Sequence, residues 1–417
     1  DAEAVELVAG QAGGPRLSVN RPQLFAAESY PDIYFADENV AVRYNSSTDQ
    51  IEDWVATSGD VPSSDNKRCR LITSWADRIV LAGLEPSPSS WFMSAIGNPL
   101  DFDASAGLET SAVAGAGSPI GETADIITSL VPWNNDVLLF GMDHSISALS
   151  GNPAGGGRFD LLTEITGMAF GRPYAFHPDR SLWFIGSRGG LYRMSGVGAQ
   201  IERISSTTLD DRLSNVAFDT TIVRMTWDDR LQGFLIFLTS VEGGSDDQHY
   251  FYDTRTQGFF PWKFANTSHS PAVIHAFDGD KPDDRTILMG CPDGFIRNLD
   301  YDGPSDDGTA ISSHVMIGPI KGEAIPLVMT GLTSVLGAGS SNVTYSIHPG
   351  DSAEEASSAA SIGGGTFTSG RNTWDRRRTS GAAIFIKLSN ATLGETWAIE
   401  RLTATLRTTS RTFEKAH

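Results

Sequence analysis

Short apolar runs separated by polar turns recur along the first three hundred residues. Trp75-Ala76-Asp77-Arg78 precedes Ile79 to Ala82 and then Gly83. Trp133-Asn134-Asn135-Asp136 precedes Val137 to Phe140 and Gly141. His177-Pro178-Asp179-Arg180 leads through Ser181 to Ile185 and Gly186. Trp227-Asp228-Asp229-Arg230 leads into Gly233 to Leu238, and Asp283-Asp284-Arg285 leads through Thr286 to Met289 and Gly290. The units start with one apolar run and turn at Asp or Asn, beside Arg in four of the five, and four of them end a second run at Gly. A third segment carries aromatics, as in Trp91-Phe92, Leu191-Tyr192 and Tyr250-Phe251-Tyr252. Asp and Asn suit such turns because their side chains bond nearby backbone and tolerate the left-handed region. Runs of β-branched and aromatic residues bounded by these turns predict strands.

Asp77, Asn135, Asp179, Asp229 and Asp284 are spaced by 58, 44, 50 and 55 residues. A four-stranded propeller blade needs roughly 40 to 50 residues. Ile33 to Val55 reads as one more, degenerate unit turning at Asp37-Glu38-Asn39. The pattern therefore predicts an all-β chain with a β-propeller of about six blades over 29–300. Residues 1–28 are expected to form an N-terminal extension or partial blade. A single blade cannot bury both its faces, and stacking blades about an axis does so. A pair of β-sandwiches is the competing architecture.

Tyr301 to Thr309 is acidic and turn-rich, which marks a linker over 301–309. Beyond it, Val343-Tyr345-Ile347 and Ile384-Ile386-Leu388 alternate with period two. Trp397-Ile399 and Leu402-Ala404-Leu406 read as two stretches of one long strand shifted by a bulge. The expectation for 310–417 is a C-terminal β-sandwich.

Charge changes the picture next. The formal net charge is −20, yet Thr366 to His417 holds nine Lys and Arg against four Asp and Glu. Arg376, Arg377 and Arg378 form the densest basic cluster and are candidates for a contact with acidic surface on a neighbouring subunit. The acidic remainder is unsuited to gripping nucleic acid, which requires clustered cations. It suits a surface along which DNA passes without adhering. Cys69 and Cys291 have no metal-ligand spacing and read as free buried thiols. No run approaches the roughly 18 apolar residues of a membrane helix, and no signal-peptide pattern opens the chain. The chain opens on Asp1, which leaves room for a further N-terminal segment.

Motifs for catalysis are missing. The sequence has no His-Glu-x-x-His, phosphate loop or Gly-x-Ser-x-Gly elbow. Asp278-Gly279-Asp280 with Asp283-Asp284 clusters carboxylates as calcium requires, but the twelfth position is Met289 where an EF-hand needs Glu. It reads as an exposed acidic turn, as do Asp302, Asp306 and Asp307. His177 occupies a position that holds Trp elsewhere and reads as a packed turn residue. No cofactor, metal or catalytic residue is expected.

Ser90 to Asp103 (SWFMSAIGNPLDFD), shortly after Trp75-Ala76-Asp77-Arg78-Ile79-Val80, resembles a segment of virion proteins of tailed bacteriophages. Gly370-Arg371-Asn372, Arg376-Arg377-Arg378 and Trp397-Ala398-Ile399-Glu400-Arg401 are similar to the end of the same proteins. That family is the tail nozzle, or phage stabilisation, protein of short-tailed phages. The resemblance implies a homohexameric ring beneath the portal and adaptor, assembled in the host cytoplasm and carried in the virion tail. It implies contact with adaptor and other tail proteins, and passage of genomic double-stranded DNA through the lumen. The competing readings are a propeller adhesin that binds a receptor or glycan, and a propeller glycoside hydrolase.

Overall fold

A computed structural model describes residues 23–64, 67–116, 125–207, 209–241, 247–281, 284–322, 326–375 and 378–408. The chain divides into two compact units. The first runs to Leu299 without residues 264–266, and the second takes 264–266 together with 300–417.

The first unit is a propeller of six successive antiparallel blades. Blade 1 spans Phe25–Ser29, Asp32–Ala36, Ala41–Asn45 and Gln50–Asp53. Blade 2 is built on Lys67–Trp75, Arg78–Leu84, Ser87–Met93 and Val113–Ala116, and blade 3 on Ile127–Pro132, Val137–Met142, Ile146–Ser150 and Arg158–Thr163. Blade 4 takes Tyr174–Phe176, Leu182–Ile185, Leu191–Met194 and Ile201–Arg203. Blade 5 takes Thr221–Asp228, Gly233–Ser240, Gln248–Asp253 and Gly258–Trp262. Blade 6 shows Val273–Phe277, Thr286–Gly290 and Ile296–Asn298 among the described residues.

The second strand of a blade lies in mid-sheet, and neighbouring blades cover both its faces. That is why Arg78–Leu84 is buried throughout and Gly233–Ser240 nearly so. A strand covered on both sides reads as a continuous apolar run rather than an alternating one. One core joins blades 1 to 3 through Phe25, Tyr34, Ile79, Leu81, Leu138 and Phe140. A second joins blades 3 and 4 through Leu139, Ile146, Phe184 and Met194. A third joins blades 4 and 5 through Trp183, Leu191, Phe234 and Tyr252.

The innermost strands approach one another closely at the axis. Gly171–Arg172, at the entry to blade 4, pairs in parallel with Ser129 of blade 3 and with Val223 and Arg224 of blade 5. Arg172 reaches blade 1 and donates from Nη2 to the Ala26 carbonyl at 2.6 Å. Phe25 meets Phe170 edge to face at 6.0 Å. Side chains therefore fill the hub in this region.

The degenerate first unit turns at Asp37-Glu38-Asn39, and one further strand precedes the stretch from Ile33. Its first hairpin turns at Tyr30-Pro31, and Asp37-Glu38-Asn39 connects its second and third strands. Asp37 and Glu38 are buried, and Glu38 pairs with Arg70 of blade 2 at 3.0 Å.

The second unit is a two-sheet sandwich. One sheet orders Ser313–Lys321, Ala383–Asn390, Val343–Gly350 and Gly363–Phe367. In the other, Leu327–Leu336 pairs with Gly370–Asp375, Thr379–Gly381 and Ile399–Thr408. The core takes Met329, Leu332 and Leu336 from one sheet and Tyr345, Ile347, Ile386 and Leu388 from the other. The last strand is continuous over Ile399–Thr408, with register shifts against its partner. Ser305–Asp306 and Thr309–Ala310 form a small hairpin, so the stretch expected as a linker carries structure of its own. Asp306 accepts the Ala265 N–H at 2.6 Å, which ties 264–266 to this unit. Ser352 caps the short helix Ala353–Ser358 by accepting the Glu355 N–H, as expected of Ser at an N-cap.

Candidate functional sites

The Asp/Asn–Arg turns fall between the first and second strands of blades 2 to 6, so they share one end of the propeller. Ala76 and Asp77 both take positive φ, the geometry of a tight two-residue hairpin turn whose twist matches the strands. Asn134 accepts the N–H groups of Asp136 and Val137, leaving Asn135 at the tip. Asp179 accepts from the Ser181 N–H and hydroxyl, and Arg180 has positive φ. Burial alone would raise the Asp179 pKa, but the Ser181 bonds and His177 hold its carboxyl well below the usual range. His177 packs edge-on against Trp227 at 4.5 Å. Asp228 caps the next turn by accepting from Arg230 and Leu231. Asp229 pairs with Arg285 of the following blade at 2.8 Å, and Arg285 also holds Asp278 at 2.7 Å. Asp284 is exposed. Two of the turn residues thus link blades 5 and 6, and the carboxylate of Asp278 is committed to an arginine.

Arg78 departs from this surface pattern. It is 2% exposed and opens the second strand of blade 2. Nη1 donates to the carbonyls of Ser94 and Ser111 at 2.7 and 2.6 Å. Nη2 donates to the Glu109 carbonyl at 3.0 Å and to Asn152 Oδ1 of blade 3 at 3.3 Å. Burial lowers its pKa, and ordered carbonyls replace the water it has lost. Arg78 is a buried clamp on the 94–112 loop. Arg376 and Arg377 lie outside the described residues, and Arg378 is exposed.

The opposite end of the propeller carries a cleft of about 410 Å³. Strand-entry segments supply Ile126, Met168, Phe170, Phe218 and Asp219, and turns between second and third strands supply Glu85, Asp143 and Ser187. Arg70 also lines it. Glu85 is paired with Lys67 at 3.2 Å. Asp143 lies 3.1 Å from His144, whose ring also approaches Asp125 at 3.4 Å. Aromatic walls beside carboxylates and an arginine suit a small polar or polyhydroxylated ligand. Among the described residues no group of three or more His, Cys, Asp and Glu is arranged to hold a metal ion.

Between the two ends, the hub holds Arg224, which is 5% exposed. It donates from Nη1 to the Val223 carbonyl at 2.9 Å and lies 5.3 Å from the Phe25 ring. Burial, followed by the neighbouring Arg172, lowers its pKa to about 9. Neither the cleft nor the hub arginines stood out as a site in the sequence. One signal was present: Arg224 interrupts the apolar run Ile222-Val223-Arg224-Met225.

These features define a β-propeller protein with a C-terminal β-sandwich. No family model matches the chain, and neither does any curated protein. Several solved structures align with it at low similarity. The extracellular domain of a one component system from B. thetaiotaomicron is 12% identical at a TM-score of 0.45, covering 93% of this chain and 50% of that one. PorZ, a surface component of the type-IX secretion system of Porphyromonas gingivalis, is 11% identical at a TM-score of 0.42, covering 91% and 51%. An exo-beta-1,3-galactanase from Phanerochaete chrysosporium is 9% identical at a TM-score of 0.33, covering 92% and 95%. The chain spans about half the length of the first two. Likeness at this level assigns no activity.

Proposed function

We propose that this protein is a structural subunit of a ring in the tail of a short-tailed bacteriophage, a nozzle through which genomic DNA passes. The observation that carries the reading is an open apolar face on the last blade. Val273, Gly290 and Ile296 stand in one register row. Val273 is 51% and Ile296 75% exposed, with Phe277 and Phe295 nearby at 43% and 65%. Apolar surface of this kind on a strongly acidic chain marks a protein contact. A second copy of the chain is its partner in this reading, with the adaptor engaged elsewhere. The resemblance of Ser90 to Asp103 and of the C-terminal segments supports the same assignment. The blades supply rigid wall, the acidic surface keeps DNA from adhering, and no catalytic step is assigned.

Mass photometry and negative-stain microscopy of the purified chain, alone and with its adaptor, test this. Rings with an axial hole, reduced to monomers by Ile296→Asp, are expected. Monomers under both conditions would refute the assignment.

The end cleft favours a second reading, a glycan-binding adhesin. Phe170 and Phe218 would stack on sugar faces while Asp143, Asp219 and Arg70 take hydroxyl groups. Retention on a glycan array, abolished by Asp219→Ala, would favour it over the nozzle.

A further inference from the structure

We infer that the outer face of the sandwich sheet built on Leu327–Leu336 is a contact for the acidic propeller unit of a second copy of this chain. The contact rests on the ring reading above and adds a second surface to it. Strand register places the cations. Val335 pairs with Arg371 on one side and with Arg401 on the other. The two arginines therefore stand in one row, about 10 Å apart across two strand spacings. Val328 pairs with Ser380 and with Arg407 in a second row, and Thr333 pairs with Thr403 between the rows. Leu327, Met329, Leu332 and Leu336 point the other way and fill the core, which turns these rows outward. Arg371, Arg401, Thr403 and Arg407 are exposed. No Asp or Glu stands in the rows.

Ion pairing sets these arginines apart. In the propeller, Arg43, Arg70, Arg193, Arg203 and Arg285 each hold a carboxylate. Among the described residues Arg371, Arg401 and Arg407 hold none, although the chain has 51 Asp and Glu. A chain of net charge −20 repels its own copies. Assembly then needs cations set against that charge where copies meet. Arginine suits the task, because its fork grips carboxylates bidentately and is only weakly hydrated. The head-to-tail contacts of a ring use two different surfaces on each copy, which a basic sandwich face and an acidic propeller provide. Duplex DNA is a poorer occupant, since its binding draws on many neutralised phosphates and a less acidic chain.

Mass photometry under the conditions in which wild-type rings form tests the contact, in about 0.1 M and about 1 M sodium chloride, where the screening length falls from about 10 Å to about 3 Å. The concentration needed for half assembly should rise about tenfold or more with salt. Arg371→Glu with Arg401→Glu should raise it similarly in low salt, and circular dichroism confirms that the variant is folded. Arg188→Glu with Arg212→Glu makes the same charge change at exposed propeller positions and should leave assembly within about threefold of wild type. Rings unchanged by the sandwich substitutions would overturn this contact and leave the ring itself standing. Equal weakening by the propeller substitutions would also overturn it, as an effect of net charge alone. Wild-type monomers throughout would remove the ring and this contact together. Tight binding of a short DNA duplex in fluorescence anisotropy, lost with Arg371→Glu and Arg401→Glu, would replace the second copy with nucleic acid.

Discussion

Two buried side chains carry residue-scale consequences that can be measured. Arg78 satisfies three backbone carbonyls and Asn152. Arg78→Ala leaves those acceptors buried without donors, and we expect a loss of about 3–5 kcal/mol in chemical denaturation. A loss under about 1 kcal/mol would show that water replaces the clamp. His249 is held neutral. Its Nδ1 accepts the Leu238 N–H, and its Nε2 faces the Ser270 hydroxyl. Burial pushes its pKa down to about 4 against the opposing pull of Asp247. The unfolded chain therefore binds this proton more readily. The stabilising contribution is complete above the unfolded value of 6.5 and is lost as pH falls toward about 4. The shift corresponds to an upper bound of about 3 kcal/mol. His249→Phe should flatten the stability profile between those pH values, and an unchanged slope would assign it to carboxylates instead. Cys69, its thiol pushed up to about 12 by burial, should resist thiol reagents until the chain unfolds.

At the scale of elements, the clearest sequence signals were the hairpin turns. Asp228 and Asp179 use their carboxylates to close backbone two residues ahead, a local interaction that leaves a local pattern. The second strands were equally plain, because coverage on both faces demands unbroken apolar runs. Blade 1 shows both sides at its turn. Asp37 and Glu38 are the turn residues their composition suggests, but Glu38 is also paired with Arg70 from another blade, a long-range contact that local composition does not encode. The end cleft and the hub were illegible for the same reason, since residues as distant as Gln23, Gly171 and Arg224 meet only after the blades stack. Gly171 makes this testable. With φ +95° and Phe25, Gln23 and Arg224 crowding its missing side chain, Gly171→Ala should cost about 2–4 kcal/mol by strain and steric conflict. An unchanged denaturation midpoint would mean the hub can relax around a methyl group.

For the molecule as a whole, the division into two units has a thermodynamic consequence. The sandwich core of Met329, Leu332, Tyr345, Ile347 and Ile386 is a cluster of its own, separate from the clusters that join the blades. We expect differential scanning calorimetry to resolve two transitions. A single cooperative transition would show that neither core stands alone. The packed hub bears on the nozzle reading in another way. With Phe25, Phe170, Arg172 and Arg224 crowding its centre, one propeller is a brick and not a pipe. On that reading, duplex DNA would travel beside such bricks and not through them. The bore of the assembly would then be fixed by how many copies stand in the circle, whatever the number of blades in each.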